Sequence, residues 1–515
     1  MNQTDKRPAP LTFQAIPAAM VVAMVVFLMI YGVELATFSL SIDEEVATFT
    51  QESPRAWLSQ GRWGMALLTL GFPEFEAIPF LSTALFGLGL LLATHCAIRD
   101  FRLGPAQAVV FAVLHVGFPV WLHVAQFSTL AGGFGIGLAA AAYGSGLAMR
   151  ARGWRQRLLA VACIMFAIAV YQTLVVYAAC YLLFVMHGQA QAVASDGVCP
   201  RWRFWLASGV TAAASVMAAL VLYALVQRAG LSIVGIDMQY VGGFIQADRL
   251  QADPVGMSKQ AFAGFASYLS GGHAIFIDWG ERVWLLAWLG LLPWSLSRGQ
   301  RKPGRVRAWA WRLLTVLLAL TVVFAPFLMS AGYLPARAHV AIPLLAAWLA
   351  SQLLTSDQGR LPAWLWVVLA YVAMVLASIG QSMFYADRVA RGMDESLTAQ
   401  LLPAIHHSLG EDAGKPFDIT LVGSRGLPER SAIRRAEVFG NSFYEHDGGN
   451  PARLALYLGF HGVQGVGAVP VATRPDLLAA ADTMPSWPAE GAVRRVNGVV
   501  IIKLGEPSYQ QLIGK

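Results

Sequence analysis

Charge is scarce in this chain. Asp, Glu, Lys and Arg together supply 13% of its 515 residues, while 57% are hydrophobic. Soluble proteins carry about 25% charged residues, so the balance excludes an ordinary soluble enzyme and fits a polytopic membrane protein. Cysteine is scarcer still, at Cys96, Cys163, Cys180 and Cys199. None lies beyond position 199, so no disulfide framework holds the C-terminal third together. Zinc-ligand spacing is missing. No glycine-rich phosphate loop occurs among the 49 glycines, which leaves direct nucleotide binding without support. Internal repeats, heptads and low-complexity tracts are missing too, so solenoids and coiled coils are excluded.

What the chain does have is a series of nearly charge-free stretches: 16–33, 77–98, 105–149, 158–186, 204–227, 283–297, 313–336, 338–356 and 361–386. A helical span needs about 20 apolar residues. The 105–149 stretch is therefore two spans, with a turn near His123–Gln126. Lys6 and Arg7 precede the first stretch within a prolyl polar segment that lacks a small-residue cleavage site. It reads as a retained anchor, not a cleaved signal peptide.

Positive charge orients the spans. Three connectors are rich in arginine: Arg99/Arg102, then Arg150/Arg152/Arg155/Arg157, then Arg298/Arg301/Lys302/Arg305/Arg307/Arg312. All three should be cytoplasmic. If 158–186 were one span, the later basic loops would face outward. If it turns near Tyr171-Gln172 and makes two short helices, every basic loop falls inside. Short helices are permissible where the turn is buried in protein. The expectation is about eleven spans, N-terminus inside and C-terminus outside. The pI near 9.3 then reflects inner loops facing anionic lipid, not nucleic acid.

This topology leaves three outer segments, 39–76, 228–281 and everything from 387 onward. The first two belong to a membrane domain, 1–386. The third, 387–515, mixes turn formers (Gly423, Gly426, Pro428, Gly448, Gly449) with alternating runs at 417–422 and 496–504 and helical patches at 387–409 and 451–457. It reads as a small α/β domain.

The chemistry-bearing residues lie at the predicted outer boundary. Ser41-Ile42-Asp43-Glu44-Glu45 follows the first span directly. Carboxylates near hydrocarbon are costly and hence functional candidates. As a functional site they supply a general base, Asp43 or Glu44, with Glu45 toward substrate. As plain structure they form the acidic first turn of a helix capped by Ser41. Gln60-Gly61-Arg62-Trp63 adds a cation that can hold an anion, or an interfacial anchor. Tyr171 and Gln172 are an ordinary polar pair in a helix, unless the chain turns there and they line a cavity. Arg337 and His339 sit in a tight turn between two stretches. The isolated His115, His123 and His273 read as structural.

Together, Ser41-Ile42-Asp43-Glu44-Glu45, Gly61-Arg62-Trp63 and Val170-Tyr171-Gln172-Thr173 resemble the phage-type O-antigen glucosyltransferases of the Gtr class, which modify lipopolysaccharide. The likeness covers about 16–386. Family members more often show two aspartates in the acidic motif; here the second is Glu44. The resemblance implies a mainly helical GT-C-type fold and a polyprenyl-phosphate sugar donor, with a separate donor synthase and flippase. It also implies a glycan acceptor and chemistry on the periplasmic side of a bacterial inner membrane. Such an enzyme deprotonates an acceptor hydroxyl and stabilises the departing lipid phosphate. One carboxylate and one or two arginines suffice, in a single inverting displacement. No cofactor is required by the sequence, and a divalent cation is compatible with it. The rival readings are a transporter or flippase of a lipid-linked sugar, and a surface-polysaccharide polymerase or ligase. Transporters often show repeats and mid-membrane ionisable residues; here the acids lie at one face.

Overall fold

The computed structural model describes residues 15–37, 40–50, 54–72, 79–195, 202–238, 246–269, 305–332, 334–354, 361–428, 433 and 435–513. The expected span at 283–297, together with Cys199 and His273, lies outside them. The protein is mainly helical, with a small C-terminal sheet. In chain order the helices begin α1 (Ala15–Ala36), α2 (Glu44–Thr50), α3 (Pro54–Ser59), α4 (Trp63–Gly71), α5 (Pro79–Asp100) and α6 (Pro105–Gly117). They continue with α7 (Val120–Ala125), α8 (Ser128–Arg150), α9 (Trp154–Val170), α10 (Leu174–Ser195), α11 (Trp202–Val234), α12 (Ala247–Ala252) and α13 (Pro254–Leu269). After these come α14 (Arg305–Met329), α15 (Ala341–Ser351), α16 (Ala363–Leu409), α17 (Pro451–Gly459), α18 (Pro475–Asp482) and α19 (Tyr509–Ile513).

Six of these helices, α1, α5, α8, α10, α11 and α16, are long and apolar enough to cross a membrane. α6 and α15 are shorter apolar helices, as is Leu313–Met329 within α14. Their apolar side chains point both ways. Along α11 only Ala219 and Gln227 are buried, while Leu206, Val210, Val221 and Leu225 stand exposed. A soluble protein rarely leaves so continuous an apolar face in water.

Both stretches expected to turn are interrupted. Residues 105–149 break twice, on either side of the short α7. The first break is at Phe118, which adopts extended angles (φ −65°, ψ 132°) because the following Pro119 disfavours the helical region. The second is Phe127, also extended. Residues 158–186 break at Tyr171 (φ −153°, ψ 115°), and α10 begins three residues later.

The bundle has two distinct ends. α5 and α8 run parallel. At one end Ser82 Oγ donates to the Ser128 carbonyl and accepts the Gly132 N–H at 2.9 Å. At the other, Arg99 and Arg150 both bind Asp100, which also accepts the Tyr181 hydroxyl at 3.0 Å. Between these ends the two helices almost touch. A Cβ on Gly135 would stand 2.5 Å from Phe86 Cα, so only glycine fits there. The arginines of 99–102 and 150–157 therefore share the end opposite to Ser82 and Ser128.

α16 is one helix of 47 residues, and residue 387 falls inside it. At 1.5 Å per residue it extends about 70 Å, more than twice the bilayer core. Its second half carries Leu397, Leu401, Ile405 and Leu409 at four-residue spacing. This stripe packs on Phe417, Ile419, Leu421, Val500 and Ile502. Those residues belong to a four-stranded sheet of order β2-β1-β4-β3, with β1 Phe417–Val422, β2 Val466–Ala468, β3 Val493–Val496 and β4 Val499–Lys503. β1 pairs in parallel with both β2 and β4, Ile419 opposite Ala468 and Val500. β3 and β4 form an antiparallel hairpin across Asn497-Gly498, both at positive φ (48° and 86°). An Asn-Gly pair suits such a two-residue turn. The 496–504 run read from the sequence is thus the end of β3, this turn and all of β4.

Candidate functional site

The end of the bundle near Ser82 and Ser128 gathers every candidate residue. Glu44 opens α2 and is buried. Its Oε2 accepts the Ser41 N–H at 2.7 Å and its Oε1 accepts the Ser128 N–H at 3.3 Å. The expected cap therefore runs in reverse: the glutamate reaches back to Ser41, and also satisfies the first turn of α8. A carboxylate at a helix N-terminus meets the positive end of the dipole. Burial pushes the Glu44 carboxyl well above the ordinary carboxylate range, opposed by the bonds from Ser41 and Ser128.

A prediction follows for Glu44. Its folded form keeps a proton that the unfolded chain has already released. Stability therefore declines as pH climbs from the ordinary carboxylate range toward the raised value. Glu44→Gln removes that titration, so its melting temperature should fall less than the wild type's between about pH 5 and about pH 8. Glu44→Ala should cost about 1–3 kcal/mol at any pH, because two buried N–H groups lose their acceptor. Parallel melting curves for wild type and Glu44→Gln across that range would show that Glu44 is ionised in the fold.

Asp43 and Glu45 point elsewhere. Asp43 has φ +84°, a left-handed conformation rare outside glycine. Its Oδ1 meets Arg453 Nη2 at 2.9 Å. Glu45 Oε1 meets Arg453 Nη1 at 2.6 Å, and Asp447 Oδ2 meets Arg453 Nε at 2.9 Å. One guanidinium on α17 thus holds three carboxylates. Burial raises the Glu45 carboxyl, and Arg453 pulls it back. For Arg453, burial opposes the charge, but Asp43, Glu45 and Asp447 outweigh it and hold the guanidinium above the ordinary arginine range.

Arg62, Trp63, Tyr171 and Gln172 form a second group. Gly61, at φ +75°, turns the chain between α3 and α4. Arg62 then caps α4, with its guanidinium 4.9 Å from the Tyr171 ring centre, 5.6 Å from that of Trp57, and 2.9 Å from Gln60 Oε1. Trp63 starts α4 and packs with Leu58 and Ala169. Gln172 Nε2 donates to the Gln60 carbonyl at 2.8 Å, Tyr223 OH to that of Gly61 at 2.7 Å, and Gln227 Nε2 to that of Leu58 at 2.7 Å. The break between α9 and α10 therefore exists to grip this loop, which explains why Tyr171 leaves the helix. Gly61→Ala tests the grip. Its Cβ would lie 2.8 Å from Gln172 Nε2 and 3.0 Å from Tyr223 OH, on a backbone that alanine adopts at a cost of about 1–2 kcal/mol. The variant should melt several degrees lower and lose activity with Arg62; an unchanged melting temperature would show that the loop relaxes freely.

Arg337 and His339 form the third group. They lie in and just after a 3₁₀ turn, Ala336–Ala338. The Arg337 guanidinium stacks 4.6 Å above Phe127, the residue before α8. His339 is buried and stacks on Phe327 at 4.3 Å. Glu437 reaches into this group from the C-terminal region: its Oε1 accepts the Ala336 N–H at 2.5 Å, and its Oε2 lies 3.8 Å from Arg337 Nη1 and 3.6 Å from His123 Nδ1. His123 is thus a structural partner of that insertion.

The start of α8 joins these groups. Phe127 carries Arg337, Ser128 donates to Glu44, and Phe134 packs edge-on against Tyr171 with ring centres 5.5 Å apart. Sequence reasoning missed Arg453, Asp447, Glu437 and Tyr223. Glu45 and Arg453 are 408 positions apart, and nothing local marks either as the other's partner. Among the described residues, no group of three or more His, Cys, Asp or Glu side chains is arranged to hold a metal ion.

No curated protein and no solved structure is significantly similar to the chain. A family model described as glucosyl transferase GtrII matches residues 32–352. The match begins in the last turns of α1, takes in the acidic motif, the Arg62 loop, the α9–α10 break and the Arg337 turn, and ends just after α15. It covers more than half of the 515 residues, and the chain accordingly belongs to the glucosyl transferase GtrII family.

Proposed function

We propose that this glucosyltransferase moves a sugar, glucose by the family description, from a polyprenyl-phosphate donor to a surface glycan such as the lipopolysaccharide O-antigen. Asp43 is the general base. It removes the proton from an acceptor hydroxyl, whose oxygen attacks the anomeric carbon. The bond from that carbon to the donor phosphate breaks, and the lipid phosphate departs with its electrons toward Arg62 and Arg337. The displacement is single and inverts the anomeric centre.

One observation carries this reading. Within the family-matched segment, a carboxylate open to solvent and two ring-stacked arginines converge on one end of a bundle. The Asp43 side chain is 43% exposed, whereas Glu44 is buried under two backbone bonds. Asp43 can therefore meet an acceptor, and Glu44 holds the turn that presents it. Glu45, Trp63, Tyr171, Gln172 and His339 shape the site around these groups. The connectors 99–102 and 150–157, rich in arginine, occupy the opposite end. Positive residues favour the cytoplasmic face, so the site faces the periplasm from the inner membrane. We keep eleven spans, and a C-terminal domain from 387 on the same side as the site.

Purified protein in vesicles, given polyprenyl-phosphate glucose and an acceptor glycan, should release lipid phosphate and form a glycoside of inverted configuration. Movement of the donor between leaflets without any glycoside would replace this reading with a flippase.

A further inference from the structure

The acidic motif belongs to the family-matched segment, but the residue that holds it does not. Arg453 lies a hundred residues beyond position 352 in sequence, on α17, in the C-terminal region. That helix is firmly placed. Asn450 Oδ1 caps it by accepting the Ala452 N–H at 2.9 Å, and Leu454, Tyr457 and Leu458 are buried. Phe460 just beyond it packs edge-on against Phe49 of α2, ring centres 4.7 Å apart. Arg453 arrives at the motif on a rigid support and directs Nη2 to Asp43, Nη1 to Glu45 and Nε to Asp447.

Two features of the motif make sense only with this guanidinium in place. Asp43 is held at φ +84°, a strained conformation that persists where the surroundings over-determine it. Glu45 is wholly buried, and its Oε2 has no hydrogen-bond partner among the described residues. Without a cation, Asp43 and Glu45 would be neighbouring carboxylates, one of them out of water. Beside the arginine the Asp43 side chain stays 43% exposed, open to an acceptor.

We propose that Arg453 is a positioning residue for sugar transfer: it fixes Asp43 at its strained turn with the carboxylate open to the acceptor and neutralises the Asp43–Glu45 pair. The C-terminal region is then part of the reaction centre and not merely a cover. This rests on Asp43 acting as the base. The titratable and charged groups around Asp43 are Glu44 and Glu45 on α2, and His446, Asp447 and Arg453 from the C-terminal side; α8, packed against α2, brings no charge until Arg150 at its far end. Removing the guanidinium leaves the carboxylates to repel each other, which favours protonation of the pair.

The test compares full-length wild type with Arg453→Gln, Arg453→Lys and Asp447→Asn in initial rate against donor concentration and pH, with melting temperatures alongside. In Arg453→Gln, kcat should fall about 30-fold or more at neutral pH, with KM for the donor within about twofold, and the acid limb of the rate profile should move up by about one pH unit. Arg453→Lys keeps the charge, so its limb should stay in place and part of the rate return. Asp447→Asn frees more of the guanidinium's charge for the pair, so its limb should move to lower pH. If Arg453→Gln does not fold, the Asp447→Asn limb decides, and an unmoved one overturns the proposal. A uniform rate loss in Arg453→Gln that follows the melting temperature, with no displaced limb, also overturns it and makes Arg453 a domain latch. An active Asp43→Asn enzyme would instead remove the base assignment itself; an inactive one beside unmoved limbs removes only the role of Arg453.

Discussion

Asp43→Asn is expected to abolish transfer, lowering its rate about 10²–10⁴-fold, while the protein still folds. The substitution changes little besides proton affinity. Asparagine tolerates left-handed angles nearly as well as aspartate, so the turn at φ +84° survives. Its amide oxygen still lies against Arg453, which also keeps Glu45 and Asp447. The fold therefore loses one member of a four-residue ion cluster, and the reaction loses its proton acceptor. Glu44→Gln should be the next most damaging change, through displacement of the turn. Its amide replaces one of the two acceptor oxygens that Ser41 and Ser128 use. Initial rates at matched protein level, with melting temperatures, check both. Near-normal turnover in the two variants together would take the acids out of the mechanism.

The contrast between Asp43 and Arg453 shows what the sequence could carry. Asp43 stands out as a candidate because three consecutive acids beside an apolar stretch are energetically conspicuous. The break at Tyr171 was legible because charge parity among the basic connectors demands it, and the break at Phe127 falls beside the turn expected near His123–Gln126; the break at Phe118, which Pro119 imposes, is an addition to that expectation. The stripe of Leu397, Leu401, Ile405 and Leu409 announces a helix by its period alone. Arg453, in contrast, is a single arginine on a short helix, and only tertiary packing delivers it to Asp43. The same holds for Glu437, whose insertion between His123 and Arg337 depends on a loop at positive φ (52°) that no local pattern predicts. The continuity of α16 through residue 387 was hidden for another reason. Its composition changes from apolar to polar where it leaves the membrane-like region, and a change of solvent looks like a change of domain.

Arg62→Lys and Arg337→Lys should each impair transfer although the charge is kept, and Arg62→Lys should do so more. Both guanidiniums are used as planes. That of Arg62 lies between the faces of Tyr171 and Trp57, with Nη1 on Gln60. That of Arg337 lies over Phe127, against Glu437. A stacked plane fixes the direction of its N–H groups, and a departing phosphate needs two of them side by side. An ammonium on a flexible stem stacks less well and offers no fixed fork. Hydrogen bonds to a charged partner contribute about 1.5–3 kcal/mol, so each variant should lose about 10–100-fold in kcat/KM for the donor. Arg62 is the stronger case because Gly61, Gln172 and Tyr223 are all engaged in holding its loop. The loss should appear against donor concentration, not acceptor concentration, and at an unchanged melting temperature. If either arginine only anchors its loop at the membrane surface, lysine will replace it with little effect. Wild-type donor kinetics in both variants would move the phosphate to another cation, with Arg249 of α12 and Lys259 of α13 as the next to substitute.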